Sequence, residues 1–199
     1  MRTLALLPAG FLAFFALGWV AAPVPTAAAP SGVVPDLTAP TDLTATLRLD
    51  DATIVAIFDA ANTADIETSG LAAKKAVHAD VRELGRTFAH DHDAVRKQGR
   101  ELAKKLGVTP TPPKDDPSAQ AHAEVMRKLE AASGEEFDRV YLAHEVAFHE
   151  AVIKAINETL VPAIKNPELK SFVQKVAPAF QGHSAAAKKL AAKYGAPKA

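Results

Sequence analysis

The chain has 199 residues, with 23 basic and 23 acidic side chains, seven histidines and no cysteine. A charge balance this even argues against nucleic acid or anionic lipid as the main partner. Without cysteine there is neither a disulfide nor a lipoprotein acylation site, so the fold depends on its core.

Residues 1–29 begin MRTLALLPAGFLAFFALGWVAA, one Arg followed by an apolar run and then small residues, Ala27 and Ala29 among them. That is the plan of a secretory signal peptide, cut near Ala22 or after Ala28 or Ala29. The alternative is an uncleaved anchor, but the run is short for a span and no basic stop-transfer cluster follows. The expected location is therefore periplasmic or secreted, with no membrane attachment after cleavage. Loss of Arg2 leaves 22 basic against 23 acidic residues. Residues 30–49 are rich in Pro, Thr and Ala without helical period and read as a flexible leader.

From Asp50 onward Ala, Lys, Leu and Glu dominate and nothing alternates with period two, so residues 50–195 predict one all-α domain. The first helix is expected from an Asp50 or Asp51 N-cap to about Val77. A turn at 78–80 leads to a second helix ending at Leu106 and capped by Gly107, antiparallel to the first because the link is so short. The four prolines of VTPTPPKDDPSAQ break helix and make a crossover, which a short helix from Ser118 or Ala119 to Ala132 follows. A third long helix is expected from Glu135 to Leu160. The fourth runs from Pro167 to about Tyr194 with a kink at Pro178.

Three histidines stand where apolar residues belong. The inward series of the fourth long helix is Leu169, Val173, Val176, Phe180, His183, Ala187, Leu190, Tyr194, and His183 lies within it. His149 lies in the series Leu142, Val146, His149, Ile153, Ile156, Leu160. His92 lies in Gly85, Phe88, His92, Val95, Gly99, whose glycines let neighbours come close. The first helix gives Phe58, Ala61, Asp65, Thr68, Ala72, with Asp65 its charged member. Asp65 and His92 are each about 13 residues, or roughly 20 Å, from the turn that joins their helices. His149 and His183 are each about 16 to 18 residues from theirs, so all four fall into one central layer.

Three imidazoles and a carboxylate suit a single zinc, copper or iron ion. The alternative is a buried polar layer, in which the rings bond to each other, to Asp65 or to Tyr141 and fix the bundle's register. Glu145, one turn before His149, can orient that ring or act as a further ligand, with Tyr141 nearby. Glu67 points away from Asp65, about 200° round the helix. His90 and His144 read as groups at the site's edge or surface, His78 as lining a turn, His122 as solvated, and the Lys74-Lys75, Lys104-Lys105 and Lys188-Lys189 pairs as solvated faces. No nucleophile elbow, phosphate loop or haem motif supports an enzyme.

Four blocks carry a family resemblance: AANTADIETSGLAAKKA, VRELGRTFAHDHDAV, FDRVYLAHEVAFHEAV and LKSFVQKVAPAFQGH. Over Ala52 to Gly195 the chain resembles the bacterial exported proteins grouped as domain of unknown function 4142, placed among ferritin-like four-helix bundles. Asp65 stands where that family usually has Glu, which shortens the reach of the carboxylate. Asp91-His92, Tyr141 with His149, and Pro178 with His183 match its other motifs. The resemblance implies an exported antiparallel ferritin-like four-helix bundle with a short extra helix in its crossover, and brings no established activity. The Glu-x-x-His pairs of di-iron oxidases are absent, since Ala89 and Phe180 precede His92 and His183 by three. Two roles fit: a small envelope metal binder, or a non-catalytic envelope stress or interaction protein with structural histidines and unknown protein partners.

Overall fold

The computed structural model describes residues 49–196, so the expected signal peptide and all of the leader but Leu49 lie outside the described residues. The described chain is helical, in the order α1 (Asp51–Lys75), α2 (Ala79–Leu106), α3 (Ser118–Ala131), α4 (Gly134–Ala155), a π-turn (Ile156–Leu160), the single turn α5 (Val161–Ala163) and α6 (Pro167–Tyr194). Among the described residues there is no strand. None of their helices is long and apolar enough to cross a membrane.

The helix ends follow the sequence signals. Asp50 caps α1 by accepting from the Thr53 amide at 2.9 Å, which satisfies a donor the helix leaves open. Asn166 does the same for α6, where Pro167 occupies the first turn without needing a donor. Gly107 and Gly195 close α2 and α6 in the left-handed conformation, with φ of 67° and 68°. The expected third long helix differs at its end. Pro162 lacks an N–H, and its ring would meet the carbonyl of the preceding turn. The backbone widens into the π-turn there, with the Val161 amide donating back to the Ile156 carbonyl. α6 continues as one helix through Pro178.

α1 lies along α2 and α4 along α6. Gly85 sets the first of these contacts, because a Cβ there would fall 2.7 Å from the Ser69 carbonyl oxygen and 2.8 Å from the Ala73 nitrogen. Backbone cannot yield as a side-chain tip can. Gly85→Ala is therefore expected to destabilise the protein by about 1–3 kcal/mol. Gly70→Ala, in α1, meets nothing within 4 Å and is expected to be neutral or to stabilise by up to about 1 kcal/mol. Thermal unfolding of the two variants side by side checks this, and equal midpoints would refute the close approach.

Asp138 in α4 fixes the turn between α1 and α2. Its buried carboxylate accepts from the amides of Val77 and His78 at 3.0 and 2.9 Å and from His78 Nδ1 at 2.7 Å. The Tyr194 ring stacks on His78, with centroids 3.9 Å apart. The expectation that His78 lines a turn holds, and the carboxylate that holds it there is the new element.

The apolar core is split into two. One cluster includes Ile54, Phe58, Phe148, Val152, Val173 and Phe180; the other includes Ala72, Leu84, Phe88, Phe137, Tyr141 and Leu142. Between them α1 turns a polar stretch inward: Asn62, Asp65, Thr68 and Ser69 are all buried. A stretch of this kind inside a bundle is costly unless its members are paired or bind something.

Candidate metal centre

The buried stretch of α1 meets His92 from α2, His149 and Glu145 from α4, and His183 from α6. The four positions picked out by stripe and level thus come together. His92 Nε2 lies 3.4 Å from His149 Nε2 and 3.2 Å from His183 Nδ1. Asp65 Oδ2 lies 3.5 Å from His92 Nε2 and 3.7 Å from His149 Nε2. Aromatic rings enclose the group: Phe88 stacks on His183 at 4.2 Å, and Phe180 meets His92 edge-on at 5.1 Å.

The outward nitrogen of each ring has an acceptor, and that decides where the lone pairs point. Asn62 donates its amide to the Phe58 carbonyl at 2.7 Å, so its oxygen faces His92 Nδ1 at 2.9 Å. His92 Nδ1 must then carry the hydrogen. His149 Nδ1 donates to the Glu145 backbone carbonyl at 3.0 Å, and His183 Nε2 to the Asp91 carboxylate at 3.1 Å. In neutral rings the nitrogens left bare are His92 Nε2, His149 Nε2 and His183 Nδ1, and these three converge. Partners of this kind fix tautomer and ring orientation around a bound ion.

Electrostatics keep the rings neutral. Burial, and then the neighbouring imidazoles, push the pKa of His92 down to about 2, while burial takes that of His149 down to about 3. Burial also lowers that of His183, although Asp91 pulls the other way. The carboxyls move oppositely. Burial raises Asp65 to about 7, and burial with the charge of Asp65 raises Glu145 well above the usual carboxylate range. Asp65 Oδ1 accepts from Ser69 at 3.1 Å, and Ser69 in turn accepts from the Tyr141 hydroxyl at 2.9 Å. Glu145 Oε1 accepts from Thr68 at 3.2 Å. Asp65 Oδ2 and Glu145 Oε2 are buried and accept from no other group, and the two carboxyls hydrogen-bond to each other through the proton that burial retains.

Two groups among the described residues are compact enough to hold an ion: His92, His149 and His183, and Asp65, Glu145 and His149. Glu145 and Tyr141, expected beside the site, are both there and fully buried. The inward face of α4 centres on Tyr141, Glu145, Phe148 and Val152 rather than on Val146 and Ile153, which are half-buried. That rotation is what turns Glu145 inward. Sequence reading missed Asn62, although it lies three residues before Asp65 and so on the same face. It also missed the role of Asp91 toward His183, which depends on a contact between helices. Glu67 points outward as expected, and it pairs there with His122 at 2.6 Å, a ring expected to be solvated. Lys75 is no plain solvated lysine either, since it donates to the Leu129 carbonyl at 3.0 Å near the end of α3.

The fold is similar to two solved structures. One is the crystal structure of a DUF305 protein from Streptomyces coelicolor, described as secreted: 14% identity, TM-score 0.60, covering 75% of this chain and 96% of that one. The other is CopM in the Cu(II)-bound form: 15% identity, TM-score 0.59, covering 74% of this chain and 99% of that one. Identity this low shows a shared helical-bundle fold and no more. No curated protein matches the sequence significantly. The model of one family, described as Domain of unknown function (DUF4142), matches residues 36–190, most of the chain, and the protein belongs to that family.

Proposed function

We propose that this protein binds one divalent transition-metal ion through His92 Nε2, His149 Nε2, His183 Nδ1 and Asp65 Oδ2. The observation that carries the proposal is the convergence of three imidazole lone pairs whose other nitrogens are already committed to acceptors. Nitrogen separations of 3.2 and 3.4 Å match the roughly 3.3 Å edge of a tetrahedron whose ligand bonds are about 2.0–2.1 Å. Asp65, 3.5 and 3.7 Å from the bare nitrogens of His92 and His149, offers the fourth ligand. The Glu145 backbone carbonyl helps to orient His149.

Neutral imidazoles with two carboxyl groups and no sulfur favour a borderline dication, zinc or copper ahead of iron. That a bundle of the same fold holds Cu(II) supports copper as one such ion. Four protein ligands leave no open position, which suits carriage or structural binding rather than catalysis. Two further readings belong here. The long helices α1, α2, α4 and α6 form an antiparallel ferritin-like bundle, because short links join α1 to α2 and α5 to α6. Export to the periplasm or outside follows from the apolar run after Arg2, with support from the neighbour described as secreted.

The test is direct. Protein incubated in turn with Zn(II), Cu(II) and Fe(II), then dialysed, is expected to retain one ion per chain with zinc or copper. Failure to retain any of the three in stoichiometric amount rejects the proposal.

A further inference from the structure

The ligands of the proposed centre differ in exposure, and His183 is the most exposed of them. The side chains of His149 and Asp65 are 0% exposed and that of His92 is 2% exposed, while His183 is 11% exposed. The exposed edge of His183 opens into a shallow cleft between α2 and α6, lined by Asp91, His92, Val95, Ala179, Phe180 and His183. Its acidic lining residue is Asp91, 44% exposed, which holds His183 Nε2 at 3.1 Å. His90, 83% exposed, bonds to the other Asp91 oxygen at 3.2 Å. Polar groups thus line the way from solvent past His90 and Asp91 to His183, whose Nδ1 faces the buried nitrogens. Elsewhere the layer is covered by the two apolar clusters and by the buried Asn62, Thr68 and Ser69.

We infer that the ion enters and leaves through this cleft, with Asp91 as the carboxylate that first captures it and His183 as the ligand that passes it inward. The inference rests on the metal-binding reading. Among the described residues, His90, Asp91 and His183 do not together make one of the groups compact enough to enclose an ion. In the loaded state Asp91 holds the far nitrogen of His183, so it acts on a bound ion through that ring and on an ion in transit directly. Capture of the ion shows in the uptake rate and its salt dependence, and the orientation of His183 shows in the release rate.

The experiment compares wild type, Asp91→Asn and a control, Glu83→Gln, in the full-length protein. Glu83 is an exposed α2 residue paired with Arg86, so its substitution makes the same change of charge away from the cleft. The asparagine oxygen still accepts from His183, so the ring keeps its orientation. Rates of Zn(II) uptake by stopped flow and of release to a chelator are measured at low and high salt. Asp91→Asn is expected to slow uptake on the order of tenfold at low salt with one ion still bound, and to weaken Kd further because His183 loses a charged partner. High salt is expected to shrink the difference, and Glu83→Gln to behave as wild type.

Equal rates in Asp91→Asn and wild type overturn the route while leaving the site in place. A weaker Kd that comes from faster release alone, with uptake unchanged, also overturns it, because Asp91 would then only position His183. Wild type that takes up no ion rejects the metal-binding reading itself, and the route with it.

Discussion

His149→Leu is expected to lose metal binding while leaving the metal-free protein about as stable as wild type. His149 is fully buried and contributes one of three converging lone pairs, 3.4 Å from His92 Nε2. Without an ion no hydrogen lies between those two nitrogens, so the contact is repulsive. Phe88, Phe148 and Phe180 flank the ring at centroid distances of 5.2, 5.7 and 6.2 Å, while its nitrogens face the Asp65 and Glu145 carboxyls. Leucine fits such walls, and the hydrogen bond lost runs to a backbone carbonyl of the same helix. The Glu145 carbonyl keeps its bond within the helix, so losing the ring leaves no new donor or acceptor unpaired and the exchange is expected to be near neutral. Affinity for Zn(II) is expected to fall well beyond the ~100-fold that a partner outside the ligand shell is worth. Calorimetric titration and chemical unfolding in chelator check both halves. The alternative, a polar layer that fixes register, expects a loss of roughly 1–3 kcal/mol. Such a loss with metal affinity unchanged would sink the proposal.

Much of this centre could be read from the sequence, for a geometric reason. A helix has a fixed period and a fixed rise, so stripe phase gives direction and the count from a turn gives level. Asp65, His92, His149 and His183 were placed in one layer by those two numbers alone. Errors of one or two residues at the helix ends did not matter, since α1 stops at Lys75 rather than Val77 without moving Asp65 relative to His92. What failed was finer than a stripe. On α4, Val146 and Glu145 are adjacent, and hydrophobicity favoured the valine. The structure buries the glutamate instead, because Thr68 of α1 stands opposite it at 3.2 Å. Asp138 holds the α1–α2 turn from 60 and 61 residues away in sequence, a pairing that no local pattern announces. The π-turn before Pro162 was foreseen only as a stop, because a missing donor shows where α-helix fails and not what replaces it.

Metal-free protein is expected to lose stability steeply as the pH falls from about 6.5 toward 4.5. Burial depresses four rings in the fold: His92 to about 2, His149 to about 3, His144 to about 4, and His183 to a lesser degree that Asp91 limits. In the unfolded chain each takes up a proton near pH 6.5. Below that pH the unfolded state therefore binds the extra protons and is favoured. Asp65, raised to about 7, and Glu145, raised further, act in the opposite sense. Their contribution to stability is fully present below about pH 4 and is lost as the pH rises through their folded values. Four rings against two carboxyls leave a net difference of one to two protons, or about 1–3 kcal/mol per pH unit within the window. Metal binding to the folded protein follows a different count. The rings are already neutral there, so the ion displaces only the proton held at Asp65. Zn(II) affinity is thus expected to rise about tenfold per pH unit between pH 5 and 7, where three exposed histidines would each add a power of ten below 6.5. Unfolding curves in chelator from pH 4 to 8, with Zn(II) titrations in two buffers of different ionisation enthalpy, measure both proton counts. Stability that holds constant or rises on acidification would mean that the rings are charged in the fold, and charged rings cannot offer their lone pairs to an ion.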